Sequence, residues 1–194
     1  MAGILGKKIG MTRIIADDGS VIPASVVECT PNKIVQIKTT EKDGYPALLL
    51  GFTALKKPKK TRKFRYVSEF KIGKDSEKKV SDEVSVAEFV EIESVKITGW
   101  SKGRGTAGVI KRHKFSRGPE THGSHHHRQP GSNAGCVTGT GRTPKGKRFS
   151  GRMGCDRITK RSTPLISVDT EKNLLVVKGP LPGAIGGLIR ITSN

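Results

Sequence analysis

Residues 103–108 have the glycine spacing of a dinucleotide-binding turn, G-x-G-x-x-G. Glycines at this spacing allow a tight turn and a close approach of the backbone to a pyrophosphate. Such a site also needs a strand before the turn, a long helix after it and an acid about 20 residues further on. The chain continues instead with Val-Ile-Lys-Arg-His-Lys over 109–114, and Glu120 comes too early, in a Pro/Gly setting. The residues therefore argue against a dinucleotide cofactor.

Residues 141–147, Gly-Arg-Thr-Pro-Lys-Gly-Lys, resemble the first part of a phosphate-binding P-loop. The next residue is Arg148, where Mg²⁺ chemistry needs a Ser or Thr hydroxyl, and no helical pattern follows. Nucleophilic and acid–base catalysis have no better support, because no Ser/His/Asp or Cys/His motif stands in a recognisable context. We therefore expect a protein that is not an enzyme and has neither a cofactor nor a small-molecule substrate.

Four histidines lie within 122–127, with Cys136 and Cys155 further along the chain. Tetrahedral zinc sites usually combine two pairs of ligands, each with a short spacing, and no second Cys or His pair is present. Three interpretations remain: a metal site, histidines that pack against bases or phosphates, and plain exposure. Packing against nucleic acid is favoured, because the surrounding loop is rich in glycine and basic residues.

The charge of the chain is concentrated in one segment. The 194 residues carry a net charge of +19, and Lys102–Arg161 holds 15 Lys or Arg against two acids. Thirteen of the 24 glycines lie within Gly99–Gly154. Such a segment cannot bury enough apolar surface to offset an ordering cost of roughly 1–2 kcal/mol per residue. It needs an anionic partner, and nucleic acid is the leading candidate.

The flanking sequence predicts short strands that position this segment. Met11–Ile15 and Val21–Cys29 flank a hairpin turn, and further strands are expected at 33–38, 47–52 and 95–98. After the basic segment, 165–168, 174–178 and 188–192 continue the pattern. Strands at both ends of the chain favour a closed or nearly closed β-barrel, with a small α+β insertion over roughly 41–95.

Two features of the insertion are more specific. Leu55–Tyr66 has seven basic residues and no acid, and is interpreted as a solvated basic loop or a phosphate-contacting arm. Ser85–Glu88 matches a capping box that would begin a short helix. The three cysteines do not have the spacing of a disulfide framework, which predicts the reducing cytoplasm. No apolar run is long enough for a signal peptide or a membrane span, so no membrane partner is expected.

Several motifs follow one another along the whole chain. They are Lys7–Arg13, Thr98–Gly99, Ser101–Gly105, Lys111–His113, Gly118–Pro119, His122–His125, His127–Arg128, Pro130–Ser132, Gly151–Gly154, Val168–Asp169, Asn173–Gly179 and Pro182–Gly183. In this order they resemble the motifs of the large-subunit ribosomal protein L-three family, in its shorter bacterial type. The resemblance runs from end to end and is weakest across about 53–84.

The resemblance implies a translation-protein-type β-barrel with an inserted α+β lobe and a long basic irregular extension. It divides the chain into a first part of the barrel (1–40), the inserted lobe (41–95), a barrel return (96–112), an extension that threads through rRNA (113–153) and final barrel strands (154–194). The tip of the extension would lie near Ser132–Pro144, towards the peptidyl-transferase centre. Implied partners are large-subunit rRNA, mainly its 3′-terminal domain, and neighbouring ribosomal proteins.

Charge, motif position and the resemblance together select the candidate rRNA-binding residues. They are Lys7, Lys8, Arg13, Lys59, Lys60, Arg62, Lys102, Arg104, Lys111, Arg112, His113, Lys114, Arg117, His122, His125, His127, Arg128, Arg142, Lys145, Lys147, Arg148 and Arg152. Basic side chains would contact phosphates, and the histidines would pack against sugars or bases.

Two other classes of protein remain open at this point. A DNA-compacting protein would share the positive charge and would bind duplex DNA as well as rRNA. An RNA-modifying enzyme would need a cofactor pocket, and the sequence contains no motif for one.

Overall fold

The computed structural model describes residues 3–72, 78–124 and 142–193. Within these ranges the chain forms twelve strands: β1 (Gly3–Ile15), β2 (Val21–Glu28), β3 (Asn32–Lys38), β4 (Ala47–Lys59), β5 (Arg62–Lys71), β6 (Glu83–Val84), β7 (Ser94–Trp100), β8 (Thr106–Ala107), β9 (Gly151–Arg152), β10 (Arg157–Asp169), β11 (Leu174–Lys178) and β12 (Leu188–Ser193). The helices there are α1 (Thr40–Asp43), a 3-10 helix (Val86–Phe89) and α2 (Val109–His113). The predicted mainly-β class is confirmed.

The chain divides into two compact units. The barrel unit comprises Met1–Ser101 and Arg157–Asn194, and the inserted unit comprises Lys102–Asp156. The inserted unit therefore leaves the barrel unit after β7 and returns to it at β10. In the described part of either unit, no helix is long and apolar enough to cross a membrane.

Six antiparallel strands of the barrel unit close into a barrel in the order β1-β12-β7-β10-β11-β2. The β1–β2 hairpin turns at the predicted position, where Gly19 adopts a φ of +78° that glycine accepts without steric cost. The β10–β11 hairpin and the last strand, β12, also lie where the sequence placed them. Closure of the ring leaves none of these six strands as an exposed edge.

The barrel encloses a core of branched aliphatic side chains that includes Ile4, Val27, Ile97 and Ile191. Successive residues of a strand point to opposite faces, so β1 directs Ile4 into the barrel and Leu5 out of it. Leu5 instead joins a second buried cluster, which covers one face of the other large sheet. β1 is therefore shared between two cores.

The second sheet has the order β5-β4-β3-β6 and forms the lobe. The strand predicted at 33–38 is present as β3, but it pairs in this sheet and not in the barrel. The lobe contains the single-turn α1. Val86 and Phe89 of the 3-10 helix are buried in the barrel core.

Leu55–Tyr66 is not an irregular loop. Of its two predicted forms, the solvated loop was therefore wrong, while the basic arm stays a prediction. β4 continues to Lys59, β5 begins at Arg62, and the two strands form a hairpin, with Ala54 opposite Phe64 and Lys59 opposite Arg62. The pairing is interrupted between Ala54 and Lys59, and most of the charged side chains are exposed. Extended strands can carry such a run of charges, so the charge pattern did not exclude them. The predicted capping box is only partly correct, because a 3-10 turn does follow Ser85 but no side-chain cap hydrogen bond forms.

Candidate nucleic-acid interface

The described base of the inserted unit is an antiparallel pairing of its two chain segments, which we call the stem (residues 102–107 and 151–156). β8 pairs with β9, with Thr106 opposite Arg152. Next to this pair, the Arg104 amide donates to the Met153 carbonyl and the Met153 amide donates to the Gly105 carbonyl, both at 2.9 Å. The stem thus holds the two ends of the basic segment together.

Gly154 makes the closest backbone approach in the stem. Its φ is +79°, and a Cβ at this position would lie 2.2 Å from the Lys102 carbonyl oxygen. Both the torsion angle and the missing side chain are therefore required by the geometry. Two cationic chain segments can run side by side here because their backbones, and not their charged side chains, make the contact.

Beyond the stem, α2 is tied to the returning segment. The Arg112 guanidinium donates to the Phe149 carbonyl at 2.9 Å, and Nε2 of His113 lies 3.0 Å from the same oxygen. The His113 ring also lies 6.2 Å from the Phe115 ring, centroid to centroid. Arg112 and His113, both predicted to bind rRNA, thus also hold the inserted unit together.

The remaining candidate side chains of the inserted unit are largely on its surface. Those exposed to solvent are Lys102, Arg104, Lys111, Lys114, Arg117, His122, Arg142, Lys145, Arg148 and Arg152, while Lys147 is half-buried. Arg117 forms an ion pair with Glu120. His125, His127 and Arg128 lie outside the described residues, as does Cys136.

The barrel unit carries the other six candidates. Lys7 and Arg13 are exposed on β1, and Lys59, Lys60 and Arg62 surround the exposed turn of the β4–β5 hairpin. Arg62 also donates to the carbonyls of Phe64 and Arg65, at 3.4 and 3.0 Å.

Lys8 has a different environment from its neighbours. Its side chain is buried, with 8% of the residue exposed, and its Nζ donates to the carbonyls of Leu181 and Gly183 at 2.8 and 3.3 Å. A buried ammonium with these acceptors stabilises the turn that precedes β12. We therefore remove Lys8 from the candidate interface and assign it a structural role.

Neither of the two sequence motifs that resemble phosphate-binding loops has the secondary structure that such a loop requires. Residues 103–108 lead into the two-residue β8 and then the five-residue α2, in place of a long crossover helix. Residues 144–147 form a turn, in which the Lys147 amide donates to the Pro144 carbonyl, and the chain then runs to β9 without a helix. Among the described residues, no cluster of three or more His, Cys, Asp or Glu could hold a metal ion.

Comparison with known proteins decides the family. The model of the family "Ribosomal protein L3" matches residues 65–178. The large ribosomal subunit protein uL3 of Oceanobacillus iheyensis is 44% identical to the chain, across 98% of the chain and 96% of that protein. The uL3 protein of Heliobacterium modesticaldum is 45% identical, across 99% of the chain and 96% of that protein. The uL3 protein of Shouchella clausii is 44% identical, across 98% of the chain and 97% of that protein.

The chain belongs to the ribosomal protein L3 family. Membership confirms the resemblance drawn from the ordered motifs, and with it the expectation that the chain is not an enzyme. These three relatives are named as ribosomal proteins, and not as DNA-compacting proteins or RNA-modifying enzymes.

Sequence reasoning missed a second cationic surface in this L3-family chain. Four cations from four different strands line one cavity of the barrel unit. They are Lys71 of β5, Lys96 of β7, Arg157 of β10 and Arg190 of β12. They are scattered through the sequence, so no charge run marks them. The available signal was the alternation of basic or polar with apolar residues in β7 and β12.

Proposed function

We propose that this chain is a structural constituent of the large ribosomal subunit in the cytoplasm. In this role it binds 23S-type rRNA, takes part in the assembly of the subunit and supports RNA near the peptidyl-transferase centre through residues 113–153. The name of its relatives, large ribosomal subunit protein, supports the assignment to that particle. Partners in this proposal are rRNA and neighbouring ribosomal proteins.

The observation that carries the proposal is the exposure of the cations of the inserted unit. Both segments of this unit direct positive charge to solvent. The exposed cations are Lys102, Arg104, Lys111 and Lys114 on the first segment and Arg142, Lys145 and Arg152 on the second. Folded RNA brings phosphates close together, and Lys and Arg side chains reduce their repulsion by replacing condensed counterions. Backbone-to-backbone pairing in the stem allows a narrow cationic element to enter such a space.

The predicted domain division remains a proposal, with two of its bounds changed: the lobe begins earlier, and the barrel return ends at Ser101, after which the inserted unit begins. We propose that the barrel anchors the chain, that residues 113–153 are the rRNA-threading extension, and that the lobe begins at Asn32, since β3 pairs with β4. The basic β4–β5 hairpin turn then acts as a second phosphate-contacting element at the end of the lobe.

Replacement of Arg142, Lys145, Lys147 and Arg148 together by Ala tests this assignment. Because these residues lie in the inserted unit, we expect the melting temperature of the barrel unit to stay unchanged while incorporation into large subunits falls severely. Incorporation is measured by sedimentation of subunits from cells that express the tagged variant beside the tagged wild-type chain.

The matched control replaces four lysines of the barrel unit, Lys42, Lys79, Lys172 and Lys178, and removes the same charge. Equal incorporation of the two variants would contradict a specific role for the inserted unit. A lowered melting temperature of the first variant would contradict the separation between anchor and extension.

A further inference from the structure

A cavity of about 580 Å³ lies in the barrel unit, lined by side chains of both of its sheets. β7 and β12 are hydrogen-bonded neighbours, with Thr98 opposite Arg190 and Lys96 opposite Thr192. Ile97 and Ile191 point into the barrel core, so Lys96, Thr98, Arg190 and Thr192 lie on its outer surface. The cavity is therefore outside the barrel, and all of its lining residues belong to the barrel unit.

The seven lining residues are four cations and three hydroxyl residues. The cations are Lys71, Lys96, Arg157 and Arg190, and the hydroxyl residues are Thr98, Thr192 and Ser193. The described side chains that line the cavity carry four positive charges and no carboxylate. We therefore expect a strongly positive potential, because field lines are focused between low-dielectric walls. Such a cavity favours an anion.

Arg190 makes a cation–π contact at the edge of this cavity. Its guanidinium carbon lies 4.3 Å from the centroid of the Phe70 ring, and this contact restrains the guanidinium. A restrained, planar guanidinium presents its N–H groups as a rigid fork, which matches the oxygens of a phosphate. Burial lowers the pKa of Arg190 and the nearby Arg157 lowers it further, while Glu69 acts in the opposite direction.

Glu69 is the acid that acts on Arg190, but its own carboxylate is already bound elsewhere. One oxygen lies 2.6 Å from Nζ of Lys38, and the other accepts a hydrogen bond from the Tyr45 hydroxyl at 2.8 Å. These two hydrogen bonds, that of Lys38 first, lower the pKa of Glu69 and keep it ionised. Glu69 thus offsets only part of the positive charge of the cavity.

We propose that this cavity, which we call the barrel pocket, binds a backbone phosphate of RNA. Arg190 and Arg157 would donate to the phosphate oxygens, while Lys71 and Lys96 would supply charge at the rim. The volume exceeds that of one phosphate group and leaves room for the adjoining sugar. The choice of RNA as the source of the phosphate rests on the proposed function, and gives the barrel its own contact with rRNA besides that of the inserted unit.

The test uses the full chain and the double variant K96Q/R157Q, which leaves Arg190 and its packing on Phe70 in place. The matched control is K42Q/K178Q, which removes two exposed lysines that do not line the pocket. The measured quantity is the affinity for a transcript of large-subunit rRNA over a series of salt concentrations. Melting temperatures show whether each variant is folded, and R190K serves as a second pocket variant.

We expect K96Q/R157Q to bind the transcript about tenfold more weakly than the wild-type chain at a fixed salt concentration. The slope of log affinity against log salt should fall in magnitude by about 1–2 for this variant, since one to two phosphate contacts are lost. The control should stay close to the wild type in both quantities. Equal behaviour of the pocket variant and the control would overturn the proposal.

A second arm identifies the source of the anion. Trp100 is the single tryptophan of the chain, is half-exposed, and lies opposite Arg157 in the β7–β10 pairing, so its fluorescence reports on the pocket. Inorganic phosphate should change the fluorescence of the wild-type chain and have a smaller effect on K96Q/R157Q. A response to phosphate that is lost in the variant, together with unchanged RNA affinity, would overturn RNA as the ligand.

The binding experiments distinguish an error in the pocket proposal from an error in the proposed function. If the wild-type chain bound duplex DNA as tightly as the rRNA transcript, the proposed function would fail, whatever the pocket variant did. If rRNA were preferred but both double variants bound it equally, only the barrel pocket would be wrong. The proposal for the barrel pocket would also be overturned if K96Q/R157Q kept its RNA affinity but was incorporated less into subunits. That result would indicate that the pocket binds an acidic neighbouring protein.

Discussion

Lys7 and Lys8 were both predicted to contact RNA, and the structure gives them different environments. The two lysines are adjacent on β1 and were equivalent in the sequence, but only Lys7 is exposed. Lys8 is buried and donates to two backbone carbonyls of the turn before β12. The sequence could not separate them, because the turn that accepts the Lys8 hydrogen bonds is more than 170 residues away along the chain.

We predict opposite effects for K8M and K7M. K8M leaves the carbonyls of Leu181 and Gly183 without their donor, and should lower the free energy of unfolding by about 1–3 kcal/mol. K7M should leave that free energy unchanged and weaken binding to rRNA. Chemical denaturation and RNA titration of both variants measure these effects, and equal stability of the two would contradict the structural role of Lys8.

At the level of elements, the sequence predicted most of the barrel. The β1–β2 and β10–β11 hairpins have turn residues between alternating strands, and both are present. The β4–β5 hairpin was missed because solvent-exposed strands can carry runs of Lys and Arg, and because its pairing is irregular between Ala54 and Lys59. The stem was missed for a related reason, since β8 and β9 are two residues long and show no hydrophobic period.

The stem is also the element whose geometry a single glycine controls. We predict that G154A disrupts it, because the new Cβ would meet the Lys102 carbonyl at a φ of +79°. The control is G105A, where φ is +66° and a Cβ would have open space. G105A should cost only the left-handed backbone penalty, about 1–2 kcal/mol.

Hydrogen exchange at the Arg104 and Met153 amides measures the opening of the stem directly, since each donates across it. In G154A these amides should exchange at least about tenfold faster than in G105A, while the amides of the barrel strands keep their wild-type rates. Equal exchange in the two variants would show that the close approach at Gly154 is not what holds the segments together.

For the whole molecule, the proposed function rests on a division between a packed barrel unit and a cationic inserted unit. The apolar residues needed for a core lie mainly outside Lys102–Arg161, and the barrel is built from them. The excess charge of the inserted unit was visible in the sequence, because it is contiguous. The barrel pocket was not visible, because the sheet pairings of β7, β10 and β12, with a side chain from β5, bring its four cations together.

The central claim is that this chain is an integral component of the large ribosomal subunit, bound to its rRNA. The most direct measurement is co-sedimentation of the tagged chain with large subunits through a high-salt wash. Non-specific phosphate binding by a protein with 6–10 duplex contacts weakens by about 10³–10⁵ between 50 and 200 mM salt. The account predicts retention at one copy per subunit after the wash. Loss of the chain to the supernatant, with equal affinity for duplex DNA, would contradict it.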